Sequence, residues 1–137
     1  MNTRFAQGGD RCGWPQAVLF DLDGTLIDSV PDLTSAVNDL LETESHEPLT
    51  QDEVRRMIGH GVRKLVERAF AAREIVLEEE ALDAMTDRMM TIYGRCLTVE
   101  TTLMPGAELL VTAYARAGVK IGVVTNKPEA FSRAIIE

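Results

Sequence analysis

The stretch that most constrains the fold is residues 17–29, Ala-Val-Leu-Phe-Asp-Leu-Asp-Gly-Thr-Leu-Ile-Asp-Ser. Four apolar residues in succession, with no polar alternation, predict a short strand buried on both faces, as a parallel sheet requires. Asp21 and Asp23 follow, separated by Leu22. In extended chain, residues i and i+2 point the same way, so both acids face one side and Leu22 the other. Gly24 permits a sharp departure from the strand, and Thr25 adds a hydroxyl. An Asp-Gly pair after a strand is by itself an ordinary turn. The restriction comes from the whole run, because two carboxylates at the carboxyl end of a parallel strand lie where open α/β sheets hold their ligands. Such a pair suits a hard cation such as Mg²⁺ and a covalent step on phosphorus.

Behind this strand the apolar period changes from short runs to helical spacing. Asp28 or Ser29 is placed to cap a helix whose first turn takes Pro31. Leu33, Ala36, Val37, Leu40 and Leu41 make its buried stripe, which predicts a helix over 31–43 and a loop over 42–50. Thr50 and Glu53 have capping-box spacing. They start a short helix carrying Val54, Met57 and Ile58, with Gly59 placed to end it. After Gly59-His60-Gly61 a third stripe runs through Val62, Leu65, Val66, Ala69 and Phe70. A fourth follows the acidic run 78–80, with Leu82, Met85, Met89 and Ile92 as core. Residues 30–97 therefore read as four helices, and 98–102 as a polar strap leading out of them. Met104-Pro105-Gly106 is a turn. A helix over 107–117 is expected to turn Leu109, Leu110 and Ala113 inward and to close at Gly118. Lys120 to Val124 reads as a second buried strand, and Pro128 opens a last helix.

That second strand ends in Thr125-Asn126-Lys127: a hydroxyl, an amide and an ammonium just before a helix amino terminus. Backbone N–H groups and the helix dipole favour anions there. Taken alone, Thr-Asn after a strand is equally an ordinary helix cap. Gly59 and Gly61 read either as close-approach glycines for a substrate or as helix terminators. Arg63 reads either as a partner for a substrate carboxylate or as a solvated cation.

Composition excludes some partners. A net charge of −8 leaves no global field for nucleic acid or anionic membrane, both of which need clustered cations. Two cysteines, Cys12 and Cys96, are too few for a disulfide framework and read as reduced thiols of a cytoplasmic protein. No run of about 18 apolar residues is present. The first 16 residues lack the apolar core of a signal peptide and read as a loose tail.

Asp21-Leu-Asp23-Gly-Thr25 resembles the first motif, Asp-x-Asp-x-Thr, of the haloacid dehalogenase-like hydrolase superfamily, and Thr125 resembles its second. Thr125-Asn-Lys-Pro, the segment from Val54 to Phe70 and Met104-Pro-Gly-Ala are similar to bacterial phosphoglycolate phosphatases. Sister phosphatases and sugar-phosphate mutases share much of the pattern. The resemblance implies an α/β fold: a partial Rossmann-like parallel-sheet core, residues 17–29 and 103–137, with an inserted all-helical cap and hinge over 30–102. It implies Asp21 as nucleophile, Asp23 as general acid and base, and Mg²⁺ held by Asp21 and Asp23. Gly24, Thr25, Thr125, Asn126 and Lys127 are expected to bind phosphate, and Gly59, Gly61 and Arg63 to meet the rest of a small phosphorylated metabolite. The superfamily's further Lys and Asp motifs follow a later strand, and Lys127 precedes that position. The sequence therefore reads as an amino-terminal portion, of marginal stability alone and prone to associate. A catalytically inactive fragment and a sugar-phosphate mutase of the same superfamily are the competing expectations.

Overall fold

The computed structural model describes residues 13–137. Cys12 and the first part of the expected tail lie outside them. In chain order the elements are β1 (Ala17–Phe20), β2 (Ile27–Asp28), α1 (Val30–Thr43), α2 (Gln51–Arg55), α3 (Val62–Ala71), α4 (Glu79–Tyr93), β3 (Thr102–Leu103), α5 (Ala107–Arg116), β4 (Lys120–Val123) and α6 (Glu129–Ile136). The fold is mixed α/β. β1 and β4 pair in parallel, Ala17 opposite Lys120 and Phe20 opposite Val123, although about a hundred residues separate them.

The apolar core sits within the helices between the strands. α1, α3 and α4 pack around Val37, Leu40, Leu41, Val66, Met89 and Tyr93, all fully buried. Each helix follows its stripe, as the 3.6-residue period requires. The Met85–Met89 face packs into this core as expected. At α2 the capping box forms in full: the Thr50 hydroxyl accepts from the Glu53 N–H, and the Glu53 carboxylate accepts from the Thr50 N–H at 2.7 Å. Asn38 brackets Leu49 with two hydrogen bonds, donating to its carbonyl and accepting from its N–H, and so ties the α1–α2 loop to α1.

Four sequence expectations are corrected here. α2 stops at Arg55, not at Gly59; Met57 and Ile58 lie past its end and still pack on the core. β1 is not buried on both faces. Its exposure alternates, with Phe20 covered by Tyr114 of α5 (rings 6.2 Å apart) and Leu19 on the other face 70% exposed. One helix covers one face, and the other has no cover among the described residues. For the same reason Leu109 and Leu110 of α5 do not turn inward; Leu109 is 79% exposed. Finally, the polar strap ends in β3, which pairs antiparallel with β2, Asp28 opposite Thr102 and Ile27 opposite Leu103. Two-residue strands fall below any periodic signal, so this ribbon was invisible in the sequence.

Trp14 and Gln16 are tied to the sheet end of the molecule. The Trp14 ring meets Tyr114 edge-on at 5.2 Å, and the Gln16 carbonyl accepts from the Lys120 N–H.

Candidate active site

β1 ends at Phe20, and the next three residues settle the orientation of the two acids. Leu22 is 1% exposed, whereas Asp21 and Asp23 both line a cleft. The chain then folds back tightly: the Thr25, Leu26 and Ile27 N–H groups all donate to the Leu22 carbonyl, and Gly24 donates to the Ile27 carbonyl. This turn consumes the Gly24 and Thr25 amides internally. Neither residue lines the cleft.

β4 delivers Thr125, Asn126 and Lys127 to the same cleft because its parallel register places its carboxyl end beside that of β1. The Lys127 ammonium donates to Asp23 Oδ1 at 2.8 Å, and its side chain is only 3% exposed. The Ser29 hydroxyl donates to the same oxygen at 2.5 Å. Ser29 therefore does not cap α1 with its side chain, as one reading of the sequence had it; Asp28 Oδ1 accepts from the Val30 N–H instead. Two donors on Oδ1 fix the Asp23 carboxylate in one orientation. The Thr125 hydroxyl oxygen accepts from the Lys127 backbone N–H at 3.1 Å, which leaves its own proton to donate elsewhere.

The opposite wall comes from the helical segment: Leu33, Ile58, Val62, Leu65, Gly59 and Gly61. Asn126 joins the walls, its side-chain N–H donating to the Gly59 carbonyl at 3.0 Å. Gly61 has a φ of 85°, and a Cβ there would stand 3.3 Å from the Asn126 carbonyl oxygen. Both facts favour glycine where the two walls approach. Arg68 steadies the loop from behind by donating to the Met57 carbonyl at 2.9 Å and meeting His60 Nδ1 at 3.2 Å. Arg63 does not join the wall residues. It lies outside the cleft, paired with Asp83 at 3.0 Å on the exposed side of α3. Position one residue after Val62 on a helix turns it away from the wall that Val62 and Leu65 form.

The cleft is a small depression between the two walls, partly open to solvent. Its floor is polar and charged, its roof apolar. Ser29 and Arg68 were missed by the sequence reading. Ser29 stands inside the Asp-Gly-Thr-Leu-Ile-Asp-Ser run but resembles a cap, and Arg68 acts through a backbone carbonyl that no spacing rule reveals.

A family profile for haloacid dehalogenase-like hydrolase matches residues 15–137. The chain belongs to the haloacid dehalogenase-like hydrolases. Within that family it is similar to the phosphoglycolate phosphatase of Rhodospirillum rubrum, 42% identical over 127 residues, which cover 90% of this chain and 53% of the relative. The phosphoglycolate phosphatase of Caulobacter vibrioides is 40% identical, over 88% of this chain and 51% of its own length. A solved structure described as a "predicted phosphoglycolate phosphatase" from Haemophilus somnus 129pt superposes with a TM-score of 0.74 at 30% identity, covering 84% of this chain and 53% of that one. The chain thus spans about half the length of the curated relatives it matches.

Proposed function

We propose that the cleft binds and hydrolyses a small phosphate monoester, 2-phosphoglycolate, with Asp21 as nucleophile. The observation that carries this reading is the convergence of Asp21, Asp23, Thr125 and Lys127 on one cleft from two parallel strands distant in sequence. An Asp21 carboxylate oxygen attacks phosphorus, the bond from phosphorus to the ester oxygen breaks, and Asp23 gives its proton to the departing alkoxide. Water then attacks the aspartyl-phosphate as Asp23 takes its proton, and inorganic phosphate leaves with the Asp21 carboxylate restored. The Thr125 hydroxyl donates to a phosphoryl oxygen, and Lys127 offsets the charge that gathers on the phosphoryl group. Residues 30–102 act as a cap whose apolar wall and Gly59–Gly61 approach exclude water.

Two carboxylates facing one cleft are hard oxygen donors. They fit Mg²⁺, which commonly takes one or two carboxylates and fills its remaining positions with water and substrate phosphate. The Asp21 carboxylate and the Asp23 main-chain carbonyl would hold it. When bound, it supplies Lewis-acid polarisation of the phosphoryl oxygens and relieves repulsion between phosphate and carboxylate.

One observation favours a second reading for the chain alone. The Lys127 ammonium already sits on Asp23 Oδ1, and that ion pair must part before the Asp23 carboxyl can serve a leaving alkoxide. On that reading the 137-residue chain binds phosphate without turning substrate over. Phosphate release from 2-phosphoglycolate, measured with Mg²⁺, with chelator and with Asp21→Asn, separates the two. The hydrolase reading expects metal-dependent release that falls at least ~10³-fold in the variant. No release from a folded chain sinks it for this polypeptide and leaves the binding reading.

A further inference from the structure

Lys127 is held from two sides. Its ammonium meets Asp23 on one, and on the other it lies 4.8 Å above the ring of Tyr93, the last residue of α4. An ammonium within about 6 Å of an aromatic centroid is attracted by the ring's negative face, more strongly when both are out of water. Here both are: Tyr93 is fully buried and the Lys127 side chain nearly so. The ring is itself fixed. Phe131 of α6 meets it edge-on, 5.4 Å between centroids at 87°.

The phenol oxygen of Tyr93 is buried with no hydrogen-bond partner. What Lys127 meets is the face of the ring, not the hydroxyl. Burial, and after it the Asp23 and Asp32 charges, push the phenol far above its usual range, so the ring stays neutral beside the ammonium.

We infer that Tyr93 is a positioning residue of the site: its ring face holds the Lys127 ammonium against Asp23, so that α4 of the helical segment sets where the positive charge stands beneath the cleft. The inference rests on the phosphate-site reading for its functional consequence, but the placement of Lys127 can be read independently.

The test replaces Tyr93 with phenylalanine and then with mono-, di- and trifluorinated phenylalanines. These keep the ring's shape and progressively drain its negative face. Two quantities are read on the full 137-residue chain: affinity for inorganic phosphate, and the ¹⁵N resonance of the Lys127 ammonium. Tyr93→Phe should match the parent in both. Successive fluorination should weaken phosphate binding stepwise, about three- to tenfold across the series, and move the ammonium resonance in step. Lost packing would show no such gradient, because the ring volume hardly changes. A flat response in both readouts overturns the inference. If the parent chain binds no phosphate, the phosphate-site reading fails, and the ammonium resonance alone decides the placement: a graded shift upholds it and a constant one overturns it.

Discussion

At the scale of single residues, the most consequential side chain outside the cleft is Asp32. It is 1% exposed, yet its carboxylate accepts from the Glu100 N–H, the Thr101 N–H and the Thr101 hydroxyl, all within 2.7–2.9 Å. A buried carboxylate is tolerated only when its oxygens are met in this way. Asp32→Ala removes the acceptor of all three bonds and should lower unfolding free energy by about 1–3 kcal/mol in urea titration. Asp32→Asn, which still accepts, should cost less. In the sequence Asp32 is one acid in a helix's first turn. Its partners lie some seventy residues away, and local spacing carries no information about them. Asp21, Asp23, Thr125 and Lys127 were legible because their types, their position after apolar runs and the shared chemistry of phosphate all point to one place. Gly24 and Thr25 stand outside the cleft because the same motif that presents the acids also needs a turn, and the turn takes their amides.

At the scale of elements, helices were legible wherever an apolar stripe ran for two turns or more, and their ends were legible where a capping side chain acts locally. α2 shows both the strength and the limit of this. Thr50 and Glu53 announced its start, but Gly59 did not mark its end, since Met57 and Ile58 reach the core without helical geometry. The capping box also gives α2 a pH dependence. The Thr50 backbone N–H bond, with further help from the Thr50 hydroxyl and Arg73 against opposing desolvation, holds the Glu53 carboxyl below its ordinary value of 4.5. A depressed carboxyl contributes stability that is present above the ordinary value and lost as pH falls through the lowered one. Stability measured by urea unfolding should therefore decline on acidification below about pH 4.5. Glu53→Gln, which preserves the hydrogen-bonding geometry but cannot titrate, should flatten that decline.

At the scale of the whole molecule, burial is unevenly distributed. The helices close on a core of their own, whereas the parallel pair β1–β4 has α5 on one face and leaves Leu19 and Val124, 70% and 62% exposed, on the other. A short parallel pair with a bare apolar face and open edges invites association. The chain should self-associate with rising concentration in sedimentation velocity. Leu19→Lys together with Leu109→Lys should shift it toward monomer while changing unfolding free energy by no more than about 0.5 kcal/mol, because both side chains are already in solvent. The β2–β3 ribbon has a separate, kinetic meaning. Residues that pair across a hundred positions of chain are slow to find one another, because loop closure must precede the contact. With Ile27 seated opposite Leu103, however, the helices between them no longer count as slack. Phe20 then lies seven residues before one side of a closed ribbon, and Lys120 seventeen after the other. The contact order that governs the β1–β4 search becomes that of a small local domain, and the slow step moves from pairing the sheet to forming the ribbon.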